Sequence, residues 1–516
     1  MRRPVATDLG VSVIGQVMPH PDMAHGPTVA AGLAKRVGAK LPDPCPSMLD
    51  KAEAFTRWLV KDRFEPLPAD TDYSRTTWLK YSKYPLWKKE MLAAQPKYEM
   101  GCVPDFEFRF CSFVKDEFYA EIKHSRSIQG PSDALKAHFG PYISAMEHIV
   151  FKNKEFVKQI PVSERPKLIM EMFGNGLPVG LSDFSSFEVS WQRRQMEAFE
   201  LPLIEHMLQN MPGYKGFMRD LRRCEVGVIR LVFKYVTATI RATRKSGTPN
   251  TSFSNGTGNW LIHEFAGHEL GLGKLNGIFE GDDGMFNYES GKFPTPEFYE
   301  KLGFVVKLEV VASVTEASFC GMVFDSTEQV AVWDPVNFIT KLGWGSARYL
   351  RAKDSTKKAL LRCKALSLAA QCPRAPVLAA CADWILRCTS GIDTRKIMES
   401  RNTGWWERQS YLRGTRFVDR TDPGLATRQL VADKFGLSVS AQLELEAWFD
   451  AQKTLCQIPA FWNNPLWADM DENYTRELSV AQLDCYPVFP DQPCEYPRIL
   501  THDGDLAIKV IGLCAS

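Results

Sequence analysis

Apolar residues recur along this chain with two different periods, and the change of period marks out its elements. The run Val179-Gly180-Leu181 is short and unbroken and ends at Asp183, which predicts a buried strand carrying a carboxylate at its end. Residues 277–286 read as two apolar arms, Ile278-Phe279 and Met285-Phe286, around Gly281-Asp282-Asp283-Gly284. That pattern predicts a β-hairpin with two adjacent carboxylates at its tip. Helical spacing takes over in 255–269 and dominates 345–516, most clearly in 359–386 and 442–455. Near the start, Pro46-Ser47 opens a predicted helix over 48–61, while the Pro- and Gly-rich first 70 residues suit an extended wrap around another lobe. Strands in the middle and helices around them place the chain in the α+β class.

Composition narrows this picture without changing it. At 516 residues, with 45% hydrophobic and 24% charged positions, the chain is that of an ordinary globular protein with a sizeable core. Disordered tails, collagen-like repeats and small disulfide scaffolds are excluded. Lys plus Arg total 63 against 61 Asp plus Glu, so a polyanion would have to be met by local clusters. Such clusters lie at 241–245 and 395–416, and between residues 78 and 97 Lys80, Lys83, Lys88 and Lys89 interleave with Trp78, Tyr81, Tyr84 and Trp87. That mix suits phosphates and stacked bases, and equally a solvated face with aromatics tucked beneath. The 13 cysteines are scattered without CxxC pairs, which favours free thiols in a reducing compartment. A bilayer span needs about 20 apolar residues; the best window, 226–240, is shorter and carries Arg230 and Lys234.

The chemistry sits where the strands end. Two adjacent carboxylates at a hairpin tip need a compensating cation, and Asp183 supplies a third acid from a separate strand. Hard oxygen ligands of this kind suit octahedral divalent ions such as magnesium. Between them, Ser246 to Asn255 forms a loop of small and hydroxylated residues that feeds a helix and could read a sugar; its bland alternative is an ordinary capped loop. His263-Glu264-x3-His268 imitates a zinc-protease motif, but histidines five apart do not share a helical face, so they are expected as surface or packing residues.

In order along the chain, Asp183-x4-Glu188, Ser246-Gly247-x3-Thr251-x3-Asn255 and Gly281-Asp282-Asp283 resemble motifs A, B and C of the RNA-dependent RNA polymerases of positive-strand RNA viruses. Lys115-Asp116-Glu117 followed by Lys123-His124-Ser125-Arg126-Ser127-Ile128 is similar to that family's motif F, Gly303 to Lys307 to motif D, and Ser318-Phe319-Cys320-Gly321 to motif E of tombusvirus-like enzymes. The family commonly has Asp where Glu188 stands. The resemblance covers about residues 110–345 and implies a right-hand polymerase. Its fingers and N-terminal extension would occupy 1–177 (motif F about 113–131), motif A of the palm 178–190, a fingers insertion 191–235, the rest of the palm 236–345, and a helical thumb with C-terminal segment 346–516.

The same resemblance implies template-directed RNA synthesis with two Mg2+ ions, for which Mn2+ can substitute, held by Asp183, Asp282, Asp283 and the Phe184 carbonyl. Lys115, Lys123 and Arg126 would meet the triphosphate, Glu188, Ser246, Thr251 and Asn255 the ribose, and Lys307 would act as general acid. The implied partners are RNA template and product, ribonucleoside triphosphates and viral or host replication-complex proteins. The implied location is host cytoplasm, at membranes reached through a partner or peripheral contact. Two other readings stay open: a non-catalytic RNA-binding replicase subunit, against which the intact aspartates speak, and a reverse transcriptase, whose motif C usually differs at the Gly281 position.

Overall fold

The computed structural model describes residues 6–15, 20–21, 23, 25–39, 41–119 and 124–460, together with strands at Cys494–Glu495, Ile499–Thr501 and Gly504–Val510. The architecture is α+β. A four-stranded antiparallel sheet at its centre has the order Leu275–Glu280, Asp283–Tyr288, Val179–Phe184, Val306–Val311. Strand alternation sends its side chains to two different cores. Phe279, Phe286, Tyr288 and Phe184 point to one side, where Trp260, Ile262 and Phe265 of the Thr251–Glu269 helix complete the packing. Ile278, Met285, Val179 and Val311 point to the other, against Ile169 and Phe173 of the Arg165–Phe173 helix and Phe319, Met322 and Phe324. Each such side chain contributes about 1.5–3 kcal/mol of burial, so a one-residue slip of register is excluded.

Both predicted arms of the hairpin are strands, and the Asp183 strand lies beside them. The helix expected over 255–269 starts earlier, at Thr251, and the one over 48–61 extends over Pro46–Arg63. The periodic stretch 359–386 is two helices, Asp354–Gln371 and Leu378–Cys388, broken where Pro373 removes a donor. These two helices, with Val439–Ala451, bury Trp384, Leu445 and Phe449 in a core of their own. Leu9, Val11 and Val13 from the N-terminal arm enter that same core, and Ala6–Asp8 pairs with Trp344–Ser346. The wrap expected of the first 70 residues therefore has a physical form: a strand on one lobe, followed by the Gly26–Val37 helix on another.

Val236–Arg241 belongs to a separate seven-stranded sheet, pairing with Val228–Val232 on one side and Gly504–Val510 on the other. Arg109–Val114 and Ser127–Gly130 extend it at the far edge. The apolar window 226–240 is accounted for as two of these strands. Among the described residues no helix is long and apolar enough to cross a membrane, and the ten cysteines from Cys45 to Cys456 are free thiols.

Candidate functional site

Asp183 and Lys307 are directly paired across neighbouring strands, so both side chains leave the same face of the central sheet. One residue short of Asp183, Ser182 pairs with Gly284, which brings Asp283 to the same end of the sheet, and Asp283 in turn pairs with Glu280. Only Gly281 and Asp282 remain in the loop. Gly281 adopts φ +68°, the left-handed region in which a two-residue hairpin loop wants glycine at its first position. Asp282 then sits exposed at the tip of the turn.

Electrostatics record that convergence. Desolvation by the protein crowded around the tip, followed by the negative charges of Glu188 and Asp183, raises the Asp282 carboxyl above its ordinary value, and Arg126 opposes them. Burial and then the charge of Asp282 push Asp283 up to about 6, with Asp183 and Glu280 adding to the rise and a Cys320 thiol hydrogen bond working against it. Cys320 occupies a left-handed backbone position, φ 52°, in the turn of the expected motif E segment. Among the described residues none of the three aspartates has an ion-pair partner, and no three Asp, Glu, His or Cys side chains form a ready cage for an ion. Crowded carboxylates without a cation nevertheless fit magnesium, which keeps several waters and takes only one or two protein carboxylates.

The basic side of the site comes from the edge of the seven-stranded sheet. The Lys115 amide donates to the Arg126 carbonyl at 2.7 Å, holding the two residues together at the open end of their strand pair. Lys115 Nζ lies 2.8 Å from Glu117 and 4.8 Å from the ring centre of Trp406; burial lowers its pKa, with Arg126 pulling the same way and the Glu117 and Glu188 charges opposing. Arg36, on the Gly26–Val37 helix, joins this cluster: burial and Arg126 lower its pKa while Tyr119, Glu188 and Glu117 raise it. Its distance in sequence from the motif gave no signal. Lys123 lies outside the described residues.

The loop before the Thr251–Glu269 helix is fixed by buried ion pairs. Arg244, fully buried, bonds Glu200 and stacks 4.6 Å from the Trp191 ring centre; Glu200 also accepts from Asn250 and Ser254. Lys245 is buried and donates to the Glu225 carbonyl at 2.7 Å. The 241–245 cluster, expected to face a polyanion, therefore turns two of its cations inward, because their acids are buried with them. Ser246 donates to the Ser127 carbonyl at 2.8 Å or to Gln129 at 2.6 Å, and Thr251 donates to the Lys245 carbonyl at 2.7 Å. Both hydroxyls, read as ribose contacts, tie the loop down here. Asn255 behaves otherwise: its Oδ1 is buried without a hydrogen-bond partner. Four residues on, Asn259 Nδ2 donates to the carbonyls of Gly281 at 3.2 Å and Asp282 at 3.0 Å. The spacing Asn255-x3-Asn259 puts both on one helical face, a signal that the sequence reading passed over.

Other expected residues have plainer surroundings. Phe184 packs its ring against Phe187, Phe304 and Tyr299, leaving only its backbone toward the strand end. His263 is buried against Phe286 and Phe279, which pushes its pKa down to about 4, while His268 is exposed; the pair is packing and surface, as its spacing required. The first half of the aromatic and basic stretch 78–97, from Trp78 to Lys88, lines a groove of about 630 Å³ together with Trp405, Arg408 and Pro249. Tyr81 is 74% and Trp405 61% exposed, and the guanidiniums of Arg401 and Arg408 each lie 5.6 Å from the Trp87 ring centre. A scan against protein-family models finds no match for this chain, and a search of curated proteins finds none either.

Proposed function

We propose that the chain is an RNA-directed RNA polymerase of a positive-strand RNA virus, built as a right hand and carrying out template-directed nucleotidyl transfer. The observation that carries the reading is the meeting of three carboxylates from two separate chain segments, Asp183 and Asp282-Asp283, with Arg126 and Glu188 close enough to bias their protonation. Divalent ions bound there would lower the barrier to attack on the α-phosphorus and to departure of pyrophosphate. Asp183 and Asp282 are the residues that would hold them, with the Phe184 carbonyl completing the set and Asp283 supporting.

The protein's own groups then divide the remaining work. Arg126, Lys115 and Arg36 orient and neutralise the triphosphate, positioning and charge being the main needs of phosphoryl transfer. Asn255, with an acceptor buried and unclaimed, and Glu188 face the ribose. Lys307, on the Asp183 face, donates a proton from Nζ to the departing pyrophosphate. The groove supplies the exposed rings of Tyr81 and Trp405, and cations, for an unpaired template strand. Replication partners and membrane attachment through them belong to the same proposal.

The test is incorporation of labelled nucleotide on an RNA template by the purified chain and by Asp282→Ala. Ribonucleotide extension by the wild type, with loss of about 1000-fold or more in the variant, supports the reading. RNA binding without any extension would make the protein a non-catalytic subunit, and extension with deoxynucleotides alone would make it a reverse transcriptase.

A further inference from the structure

We infer that Asn259 is a positioning residue that aims the Asp282 carboxylate by clamping the peptide groups on either side of it; this rests on the polymerase reading. The Gly281 and Asp282 carbonyls flank the Asp282 Cα, and Asn259 Nδ2 donates to both. Fixing both peptide planes fixes the direction of the Cα–Cβ bond between them, and so the point from which the carboxylate reaches out and the rotamers open to it. Carbonyls only accept, so the amide nitrogen must face the turn, and Asn259 Oδ1 is left buried without a partner. An unpaired buried oxygen is costly, which argues that the donor end is held for what it does at the turn.

The surroundings give the clamp its stiffness. Asn259 is fully buried in the third turn of a helix that packs Trp260, Leu261 and Phe265 into the main core. One turn earlier the backbone of Gly256 runs so close to the hairpin that a side-chain carbon there would lie 3.8 Å from the Gly281 nitrogen. A short side chain with two donors on a rigid helix suits this gap. The tip of the hairpin would otherwise be a two-residue loop with an exposed aspartate, free to turn its carboxylate away from Asp183.

The experiment compares Asn259→Leu, which keeps the branched outline and removes the donor, and the smaller Asn259→Ser with Thr257→Val. Thr257 is equally buried on the same helix and donates only to the Phe253 carbonyl, so its variant controls for lost helix stability. Three quantities are read: Mn2+ affinity by electron paramagnetic resonance without RNA or nucleotide, kcat against KM for ribonucleotide on a fixed RNA, and RNA affinity. Residues that orient ligating groups typically cost 10- to 100-fold when lost, so both Asn259 variants should weaken Mn2+ binding and lower kcat by about tenfold or more. KM and RNA affinity should hold, and Thr257→Val should leave all three within about twofold of the wild type. If either folded Asn259 variant keeps wild-type Mn2+ affinity and kcat, the clamp is refuted while the polymerase reading stands. If the wild type itself neither binds Mn2+ nor extends RNA, the reading falls and takes the clamp with it.

Discussion

Asp283→Asn should stabilise the metal-free protein at pH 8. In the folded chain its carboxyl is raised from 3.8 to about 6, first by burial and then by Asp282. The unfolded chain lacks the burial, and Asp282, still its neighbour there, acts only weakly through water, so between these values the folded state holds a proton that the unfolded state has lost. Stability therefore falls as pH rises from about 4 through about 6, and the penalty is complete above that. Two units correspond to about 3 kcal/mol, and because the residue is only half-buried, solvent screening reduces this to about 1–2 kcal/mol. Asparagine has no charge to hold, so the variant should unfold at a midpoint a few degrees higher at pH 8 in a chelator, with no gain at pH 4. Saturating Mg2+ should narrow or reverse the difference, since a cation bound to the folded state alone restores the wild type. A gain independent of pH, or a loss at pH 8 in chelator, would refute the argument that crowded charge strains this end of the sheet.

Three further outcomes follow from the site. Asn255→Ala should relax discrimination between ribonucleotides and deoxynucleotides by about 5- to 150-fold, the worth of one hydrogen bond to a desolvated hydroxyl; an unchanged incorporation ratio would remove Asn255 from the sugar contact. Arg126→Lys should impair turnover or nucleotide affinity and leave RNA binding intact, because a bidentate fork suits phosphate better than a point charge; loss of RNA affinity alone, in steady-state kinetics on a fixed template, would move Arg126 to the template. Arg244→Leu should destabilise the chain by about 3–5 kcal/mol in denaturant unfolding, because Glu200 would stay buried without its partner; a cost under about 1 kcal/mol would mean the network is not holding the loop.

How much of this was legible beforehand depends on how far each signal reaches along the chain. The hairpin was legible because its information is local: two apolar arms, a glycine able to take φ +68°, and a two-residue loop. The Asp183 strand and the Thr251–Glu269 helix were legible for the same reason, since period and capping act over a few residues. Even the His263 and His268 pair could be set aside from helical geometry alone.

Partnership over long separations was decided only by the fold. Arg244 and Lys245 look like any surface cations in sequence; only packing puts Glu200 and Glu225 against them in the interior. Ser246 and Thr251 have the right chemistry for a sugar, yet their hydroxyls hold the loop because backbone carbonyls lie within reach first. Arg36 and Asn259 carry no motif; one enters through a helix of the N-terminal arm, the other through a helical face that meets the turn. Val236–Arg241 has the apolar alternation of any strand, and which sheet it joins is a choice among partners. Sequence set the local conformations and the inventory of acids and bases, because those depend on neighbours along the chain. Tertiary structure set which charges meet, which are cancelled in the core, and which carboxylates are left crowded, because those depend on contacts made across it.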